Sequence, residues 1–502
     1  MKTLRHYVDL RAREQPDAPY LIAPETGATL SYGQLQRGSR DLGRFLLQSG
    51  LNKGDKVALM LHNGYQTGRL LIGVMYAGFT VAPLNLLAQP SQLAYVLEHS
   101  DTKLVFTSPE FFERLQQALE KLNRKIELIA IDPDAVIIFG DETRSPDPLP
   151  PVAENDVALL MYTSGTTGKP KGCMLTHKSV CAGGEFTSRA HELTAQDRVL
   201  CALPLYHING QIVTAVAPLV HGGSVVMPHR FSVSNYWELV AQYQCTWINV
   251  VPTIIAYLLN APDPRETGLD ISRVKFCRSA SAPLPPELHR AFEQKFGISI
   301  IETFGMTETN APCFTNPREP AQRKIGSPGQ AFGNEAKIID PGTGNTQPPG
   351  IPGEIMVRGD NVMKGYYKDP VTTANTLEPD GWMHSGDLGY MDEDGFVFVT
   401  GRIKELIIKG GENIAPREID EALLRHPAVL EAAAVGIPDE NYGQEIMACV
   451  ILKPGHACSA EELTAFSQRE LGQYKTPKVI RFVADLPKGP SGKVQRLKLL
   501  DL

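Results

Sequence analysis

A run rich in glycine and hydroxyl residues follows an apolar strand pattern near residue 160. Residues 157–161 (VALLM) predict a buried strand, and the run TSGTTGKPKG follows directly at 163–172. Glycines let backbone N–H groups approach an anion, while the hydroxyls add donors and the lysines add charge. A flexible polar loop is the competing interpretation, and the position after a buried strand disfavours it. The predicted phosphate-binding residues are Thr163, Ser164, Gly165, Thr166, Thr167, Gly168, Lys169 and Lys171.

This loop differs from the Walker A loop, because its lysine follows a Gly-x2-Gly spacing and precedes Pro170.

A second stretch, IETFGMTET at 301–309, has residues suited to a nucleotide. Phe304 can stack on a purine, Thr307 can donate to an α-phosphate, and Glu308 can hold Mg²⁺ beside phosphates. Alone, the stretch also fits a buried strand end with a solvated Glu, but beside a phosphate loop the nucleotide interpretation is favoured.

The two stretches together resemble the adenylate-forming superfamily of acyl-CoA synthetases, peptide-synthetase adenylation domains and luciferases. The resemblance covers nearly the whole chain and continues through the runs WMHSGDL (382–388), GRIK (401–404), KGGENIAP (409–416) and PKGPSGKVQR (487–496). It implies that Asp387 accepts from the ribose, Arg402 contacts ribose or phosphate, Lys404 is a hinge, and Lys493 is the catalytic lysine. The chain departs from the family at Phe304, where tyrosine is usual.

The GGEN-x2-P form of the 409–416 run resembles acyl-CoA synthetases more than peptide-synthetase domains. In the resemblance, Lys409, Gly410 and Gly411 line the path of coenzyme A, and no carrier-protein domain follows in the sequence. We therefore expect an ATP- and Mg²⁺-dependent ligase that forms acyl-AMP and pyrophosphate, then acyl-CoA and AMP. A stand-alone adenylation enzyme that loads a carrier protein and a non-catalytic nucleotide sensor are the alternatives.

The resemblance places the carboxylate substrate beside two loops, and His207 is also implied as a catalytic residue that flanks the carboxylate. Many relatives have Ser-Gly-Gly where this chain has Ser279, Ala280 and Ser281, and side chains in place of glycines narrow a pocket. The Arg-Ser-x-Ser form resembles oxalate-CoA ligases, which predicts a short, polar or dicarboxylic acid. A medium- or long-chain fatty acid is the alternative, with Ser281 bonding only to backbone and Arg278 only capping a strand end. The predicted acyl-pocket residues are His207, Asn209, Arg278, Ser279, Ala280, Ser281 and Gly305.

The elements that must position these residues follow an alternating helix and strand pattern. Residues 32–49 and 66–77 predict helices, and residues 56–61, 80–84 and 103–107 predict strands, which indicates mostly parallel βαβ units. After the phosphate loop we predict helices at 178–191, 211–220 and 237–243, and strands at 200–204, 224–227 and 247–251. The predicted fold is α/β: a large N-terminal domain (1–401) of parallel subdomains plus a small β-rich one, then a small mobile α+β domain (402–502).

The composition of the chain limits which kinds of partner the protein is expected to bind. The 502 residues carry a net charge of −7 without a basic block, which argues against nucleic acid. The eight cysteines lack a C-x2-C pair, so neither a zinc site nor a disulfide framework is expected. The N-terminus has no apolar signal core and no window is long enough to span a membrane, so we expect a cytoplasmic protein. The expected partners are a small carboxylate and coenzyme A, and a homodimer is left open.

Overall fold

The structure is a computed structural model that describes residues 2–136, 139, 148–163, 170–310, 312–489 and 494–502. These residues form two compact units. Unit 1 spans Met1–Glu335 and Val357–Met383, and unit 2 spans Ala336–Met356 and His384–Leu502. The predicted boundary at residue 401 and the hinge at Lys404 stay predictions.

The helices of the described chain are short to medium in length, and none is long and apolar enough to cross a membrane. Prolines often occupy their first turn, where the missing N–H costs nothing. The α-helices are α1 (Leu4–Glu14), α2 (Tyr32–Gln48), α3 (Tyr65–Ala77), α4 (Pro90–His99), α5 (Pro109–Leu119), α6 (His177–Ala190), α7 (Ala217–His221), α8 (Tyr236–Gln242), α9 (Pro252–Asn260), α10 (Pro286–Phe296), α11 (Pro370–Thr376), α12 (Pro416–Leu424) and α13 (Ala460–Lys475).

The strands are also short, and those of the parallel sheets are largely buried. They are β1 (Pro19–Ala23), β2 (Ala28–Ser31), β3 (Lys56–Met60), β4 (Thr80–Pro83), β5 (Thr102–Thr107), β6 (Glu127–Ala130), β7 (Val157–Thr163), β8 (Lys171–Thr176), β9 (Arg198–Leu200), β10 (Ser224–Val226), β11 (Trp247–Val250), β12 (Phe276–Ser279), β13 (Ile300–Phe304), β14 (Phe314–Thr315), β15 (Gly329–Ala331), β16 (Glu335–Ile339), β17 (Gly353–Arg358), β18 (Gly365–Tyr366), β19 (Met383–Met391), β20 (Phe396–Arg402), β21 (Ile407–Lys409), β22 (Glu412–Ile414), β23 (Val429–Asp439), β24 (Gly443–Leu452) and β25 (Val479–Phe482).

Unit 1 is built on two mostly parallel sheets, as the βαβ pattern predicted. In one, the strand order is β15-β14-β13-β12-β11-β9-β10-β1-β2, and in the other it is β18-β8-β7-β4-β3-β5-β6. Helix α3 is buried on every side and shares one hydrophobic core with strands of both sheets. Its C-terminal half, residues 70–77, is apolar throughout, as suits a helix enclosed by protein. The parallel run from β9 to β13 brings several strand carboxyl ends to one edge of the sheet.

Two predicted elements near the site differ from the structure. The strand predicted at 200–204 ends at Leu200, and the helix predicted at 211–220 is a π-helix (Asn209–Val216) followed by α7. Gly210 at the start of the π-helix packs against the preceding loop, since a Cβ there would lie 2.6 Å from the Pro204 carbonyl oxygen. Single π turns are common at functional sites, and eight residues are too few to separate their period from 3.6.

Unit 2 contains the β-rich and α+β parts that the sequence predicted. Strands β16, β17, β19 and β20 are neighbours in that order. A second sheet has the order β22-β21-β24-β23, with β25 parallel to β24, and α12 and α13 pack on it. The α/β class with a distinct C-terminal α+β part is therefore confirmed.

Candidate active site

The predicted phosphate loop joins two antiparallel strands of unit 1. Strand β7 ends at Thr163 and β8 begins at Lys171, and these two residues are partners across the ladder. The Lys171 ammonium lies 5.2 Å from the centroid of the Tyr366 ring, so this lysine is held at the base of the loop. The predicted residues Ser164, Gly165, Thr166, Thr167, Gly168 and Lys169 lie outside the described residues.

The predicted nucleotide residues lie on one short segment at the end of β13. Phe304 is the last residue of the strand and is half-buried, with its ring centroid 5.8 Å from that of Phe314. Gly305 follows, and then a single 3₁₀ turn, Thr307–Thr309, carries Thr307 and Glu308. Asn310 ends the turn with φ of 51°, a left-handed conformation that asparagine tolerates.

The Glu308 carboxylate is oriented by one hydrogen bond. The Tyr366 hydroxyl donates to its Oε1 at 2.9 Å, and no described residue donates to Oε2. Burial, followed by the nearby carboxylate, raises the pKa of Tyr366 well above its usual range, so the phenol remains a donor. Mg²⁺ beside phosphates is usually held by one or two carboxylates. Glu308 fits that requirement, and the ion it would hold neutralises phosphate charge.

Arg278 is a buried cation on β12. It is 1% exposed, and its Nη1 donates to the side-chain oxygens of Asn209 and Asn249, at 2.9 Å each. Its Nε has no hydrogen-bond partner within the described ranges. Burial lowers the pKa of the guanidinium to about 9, which leaves it charged at neutral pH. Its contacts are with side-chain amides, so it does not serve as a strand-end cap.

Asn209 connects this guanidinium to Ser281. The Asn209 Nδ2 donates to the Ser281 Oγ at 3.1 Å, and its Oδ1 also accepts from the Asn249 Nδ2 at 3.1 Å. Since a guanidinium only donates, the Asn209 oxygen must face Arg278 and its nitrogen must face Ser281. Ser281 has φ of 73°, a left-handed conformation that costs a non-glycine residue energy. Its hydroxyl thus bonds a side chain rather than backbone.

Strand register brings these residues to the same edge as the nucleotide segment. Asn249 is the partner of Arg278 across β11 and β12, and Ser279 is the partner of Glu302 across β12 and β13. Ligands of parallel α/β sheets bind outside the carboxyl ends of the strands. Ser279 and Ala280 are buried at that end. The predicted His207 lies outside these strands, with its ring centroid 4.7 Å from that of Tyr206.

In unit 2, one carboxylate oxygen of Asp387 has no hydrogen-bond partner among the described residues. Its side chain is 4% exposed, the Arg402 Nε donates to Oδ1 at 2.7 Å, and Oδ2 has no partner among the described residues. The two residues are partners across β19 and β20. Gly386 before it has φ of 69° and donates its N–H to the Glu354 Oε1 at 2.9 Å. A buried, unpaired acceptor of this kind suits a sugar hydroxyl.

The predicted coenzyme A residues form a tight hairpin in unit 2. Lys409 and Glu412 are partners across β21 and β22, and Gly410 and Gly411 between them have φ of 56° and 86°. The Lys409 ammonium is buried, forms an ion pair with Glu445 and donates to a backbone carbonyl. The Lys409 ammonium is therefore already paired with groups of unit 2.

Two predicted residues of the C-terminal domain remain, Lys404 and Lys493. Lys404 is exposed on the 3₁₀ turn Ile403–Glu405, next to Glu405, which pairs with the Arg496 Nε at 3.3 Å. Lys493 lies outside the described residues.

Three residues of the site were missed by sequence reasoning. Asn249 is a polar residue inside an apolar strand pattern, and that signal could have identified it. Tyr366 bonds Glu308 from 58 positions away, and Glu354 supports the Asp387 turn from a neighbouring strand. Contacts of this kind depend on strand order, which no local spacing reports.

The chain belongs to the AMP-binding enzyme family. The family's profile matches residues 8–367, and that of the AMP-binding enzyme C-terminal domain matches residues 418–493. Together with the CoA ligases that the chain resembles, this family membership shows an ATP-dependent carboxylate–CoA ligase, an acid–thiol ligase that uses ATP, Mg²⁺ and coenzyme A, as the resemblance of the motifs implied.

Known proteins resemble the chain over nearly its full length. It is 54% identical to a sulfoacetate–CoA ligase of Cupriavidus necator, covering 99% of this chain and 97% of that one. It is 36% identical to an oxalate–CoA ligase of Arabidopsis thaliana, covering 91% and 90%. Among solved structures, the o-succinylbenzoate coenzyme A synthetase of Bacillus subtilis with ATP and magnesium ion matches with a TM-score of 0.87, 30% identity and 99% coverage of both chains.

Proposed function

We propose that the acid activated by this ligase is short and carries a second anionic group at its far end. The observation that supports this is Arg278, a buried guanidinium whose described partners are neutral amide oxygens. Burying a charge without a counter-ion is costly, and amide oxygens offset only part of that cost. A distal carboxylate or sulfonate would supply the missing negative charge.

We infer that Arg278 acts on this anion through Asn209 and Ser281. The orientation of the Asn209 amide makes the Ser281 Oγ an acceptor, so the Ser281 proton is left to donate to a ligand. Hydrogen bonds in such a chain polarise one another, which strengthens the last donor. A fatty-acid tail would offer no acceptor to the Ser281 hydroxyl and no counter-charge to Arg278.

The relatives support this substrate class. Sulfoacetate carries a sulfonate beside its carboxylate, and oxalate carries two carboxylates. The shared feature is a second anion within two carbons of the reacting group. A buried cation at the carboxyl ends of the sheet strands would recognise that feature in either acid.

The remaining assignments follow the family motifs and stay proposals. Phe304 stacks on the adenine, Thr307 donates to the α-phosphate, Glu308 holds Mg²⁺, and His207 flanks the carboxylate. Asp387 binds the ribose and Arg402 contacts the ribose or a phosphate. Lys404 is the hinge between domains 1–401 and 402–502, and Gly410 and Gly411 let the pantetheine arm pass. Phosphate contacts come from Thr163, Ser164, Gly165, Thr166, Thr167, Gly168, Lys169 and Lys171.

In the reaction, a carboxylate oxygen attacks the α-phosphorus of ATP and pyrophosphate leaves. Lys493 is proposed to draw charge from the reacting oxygens as the phosphorus becomes pentavalent. The coenzyme A thiolate then attacks the acyl carbonyl, the acyl–phosphate bond breaks, and AMP leaves. Positioned groups lower the cost of bringing two anions together.

Pyrophosphate release with a panel of acids tests this proposal. The panel contains sulfoacetate, oxalate, malonate, acetate and octanoate, each with and without coenzyme A. We expect sulfoacetate or a short dicarboxylate to give the highest kcat/KM, with acyl-CoA formed when coenzyme A is present. A preference for octanoate would contradict the substrate class. Acyl-AMP that is not consumed by coenzyme A would instead support delivery to a carrier protein.

A further inference from the structure

We propose that Tyr366 is a positioning residue that holds the Glu308 carboxylate and the Lys171 ammonium in one arrangement. The proposal rests on the assignment of Glu308 as the Mg²⁺ ligand made above. Tyr366 lies outside the motifs that identified the site, and its role follows from contacts that the fold creates. It acts on metal and phosphate only through these two residues.

The backbone around Tyr366 joins two parts of the candidate site. The Met363 N–H donates to the Glu308 carbonyl oxygen at 2.7 Å, and the Tyr367 N–H donates to the Gly172 carbonyl oxygen at 2.7 Å. Between them, β18 pairs with β8, with Tyr366 opposite Cys173. Residues 363–367 thus connect the strand that follows the phosphate loop to the turn that carries Glu308.

The Tyr366 side chain connects the same two parts of the site, because its hydroxyl contacts Glu308 and its ring contacts Lys171. It is 9% exposed, its hydroxyl donates to the Glu308 Oε1 at 2.9 Å, and its ring lies 5.2 Å from the Lys171 ammonium. The hydrogen bond fixes the orientation of the carboxylate through Oε1, while Oε2 accepts from no described residue. The ring face attracts the lysine and limits where its charge can lie.

A packing role alone does not explain the choice of hydroxyl partner. Two other buried tyrosines of unit 1, Tyr20 and Tyr32, donate their hydroxyls to the backbone carbonyls of Ala215 and Pro218, at 2.9 and 2.8 Å, whereas buried Tyr76 donates to the Asp9 carboxylate at 2.8 Å. What distinguishes Tyr366 is that its acceptor is the acidic side chain that the family motif places at the metal. Hydrogen bonds to metal-binding carboxylates commonly tune metal affinity by about 10–100-fold.

The test uses Tyr366→Phe, which keeps the ring, with Tyr367→Phe as the matched control. The Tyr367 hydroxyl donates to Asp101 at 2.7 Å, so its loss removes a tyrosine hydroxyl without touching Glu308. Mn²⁺ binding is measured by electron paramagnetic resonance on enzyme saturated with α,β-methylene-ATP, in which no turnover occurs. We expect the Mn²⁺ dissociation constant to rise about 10-fold in Tyr366→Phe and less than about twofold in the control.

Glu308→Gln separates the two proposals. If Glu308→Gln binds Mn²⁺ like the parent, the metal assignment of Glu308 fails. If Glu308→Gln weakens Mn²⁺ binding while Tyr366→Phe does not, only the role of Tyr366 is overturned. In the double variant, Tyr366→Phe should add no further loss, because its hydroxyl acts through the carboxylate. A further loss there would show a general structural effect and would also overturn the proposal. Thioester formation from a supplied acyl-adenylate confirms that each variant is folded.

Discussion

At the scale of single residues, the Arg278 network links stability to specificity. A guanidinium with 1% exposure and neutral partners lowers the stability of the free enzyme, since burial disfavours its charged form. In the proposed function, the same uncompensated charge favours a doubly anionic acid over a singly charged acid of equal size. We therefore expect the charge of the substrate, as well as its size, to determine specificity.

Ser281→Gly tests the end of this network. Glycine accepts φ of 73° without strain, so the variant removes the hydroxyl without adding a backbone cost. A hydrogen bond to a charged group contributes about 1.5–3 kcal/mol, so kcat/KM for sulfoacetate should fall about 10- to 100-fold. Activity with acetate should change little, because acetate has no distal anion to lose.

Steady-state kinetics with both acids check this result, and thermal unfolding provides the control. Ser281→Gly should melt at the same temperature as the parent or slightly higher, since a strained left-handed serine has been relieved. Equal losses with sulfoacetate and acetate would mean that Ser281 shapes the pocket without contacting the second anion.

At the scale of elements, the 407–414 hairpin shows that backbone conformation alone can require the two glycines of a family motif. Its two central residues both have positive φ, as a two-residue turn of this class requires, and Gly-Gly satisfies that at low cost. At Gly411 an added Cβ would meet no atom within 4 Å, so only the backbone conformation restricts substitution there.

Substitutions at Gly411 should therefore follow left-handed propensity. Gly411→Asn should be tolerated, whereas Gly411→Val should destabilise the hairpin by about 1–2 kcal/mol, because a β-branched residue is disfavoured at φ of 86°. Because Gly411 is proposed to line the path of coenzyme A, thioester formation should be slower in the valine variant, while pyrophosphate release should stay near the parent rate. Half-reaction assays separate the two steps, and equal activity of the two variants would exclude a backbone requirement.

How far the sequence predicts this molecule depends on the range of the contact. The Lys56–Met60 strand, the α3 helix and the Gly410-Gly411 turn follow from patterns within about ten residues, and all were predictable. The π-helix that begins at Asn209 was not, because eight residues are too few for their apolar pattern to separate its period from 3.6. The amide–guanidinium network was not predictable either, since it requires the register of β11 against β12.

At the scale of the whole molecule, three buried histidines relate stability to pH. Burial lowers the pKa of His177 and His221 to about 4 and that of His191 to about 3, with the Arg278 charge adding to the effect on His191. An unfolded histidine titrates near 6.5, so below that pH the unfolded chain binds protons that the folded chain excludes. The free energy of unfolding therefore falls as pH drops from about 6.5 toward 4.

His191→Phe should make this decline less steep. The His191 ring stacks on Trp247 and Phe276, with centroids 6.2 and 5.2 Å away, so phenylalanine fits the same aromatic layer. Each proton that the folded chain excludes adds up to about 1.4 kcal/mol per pH unit to the slope of the free energy of unfolding against pH. Between pH 5.5 and 4, this slope should therefore be smaller in the variant by the contribution of one histidine. Urea unfolding across this range measures the slope, with His456→Gln as an exposed control. An unchanged slope in His191→Phe would contradict the assignment.

Recognition of a second negative charge is tested most directly by one pair of acids. Methylsulfonylacetate matches sulfoacetate in size but carries a methyl group in place of one sulfonate oxygen, so it lacks the distal charge and one acceptor oxygen while keeping the other two. The measurement is the ratio of kcat/KM for pyrophosphate release with the two acids in the presence of coenzyme A. We predict that sulfoacetate is preferred about 100-fold or more, as for a site that leaves buried polar groups unpaired with the wrong ligand. A ratio within about twofold of one would contradict the account.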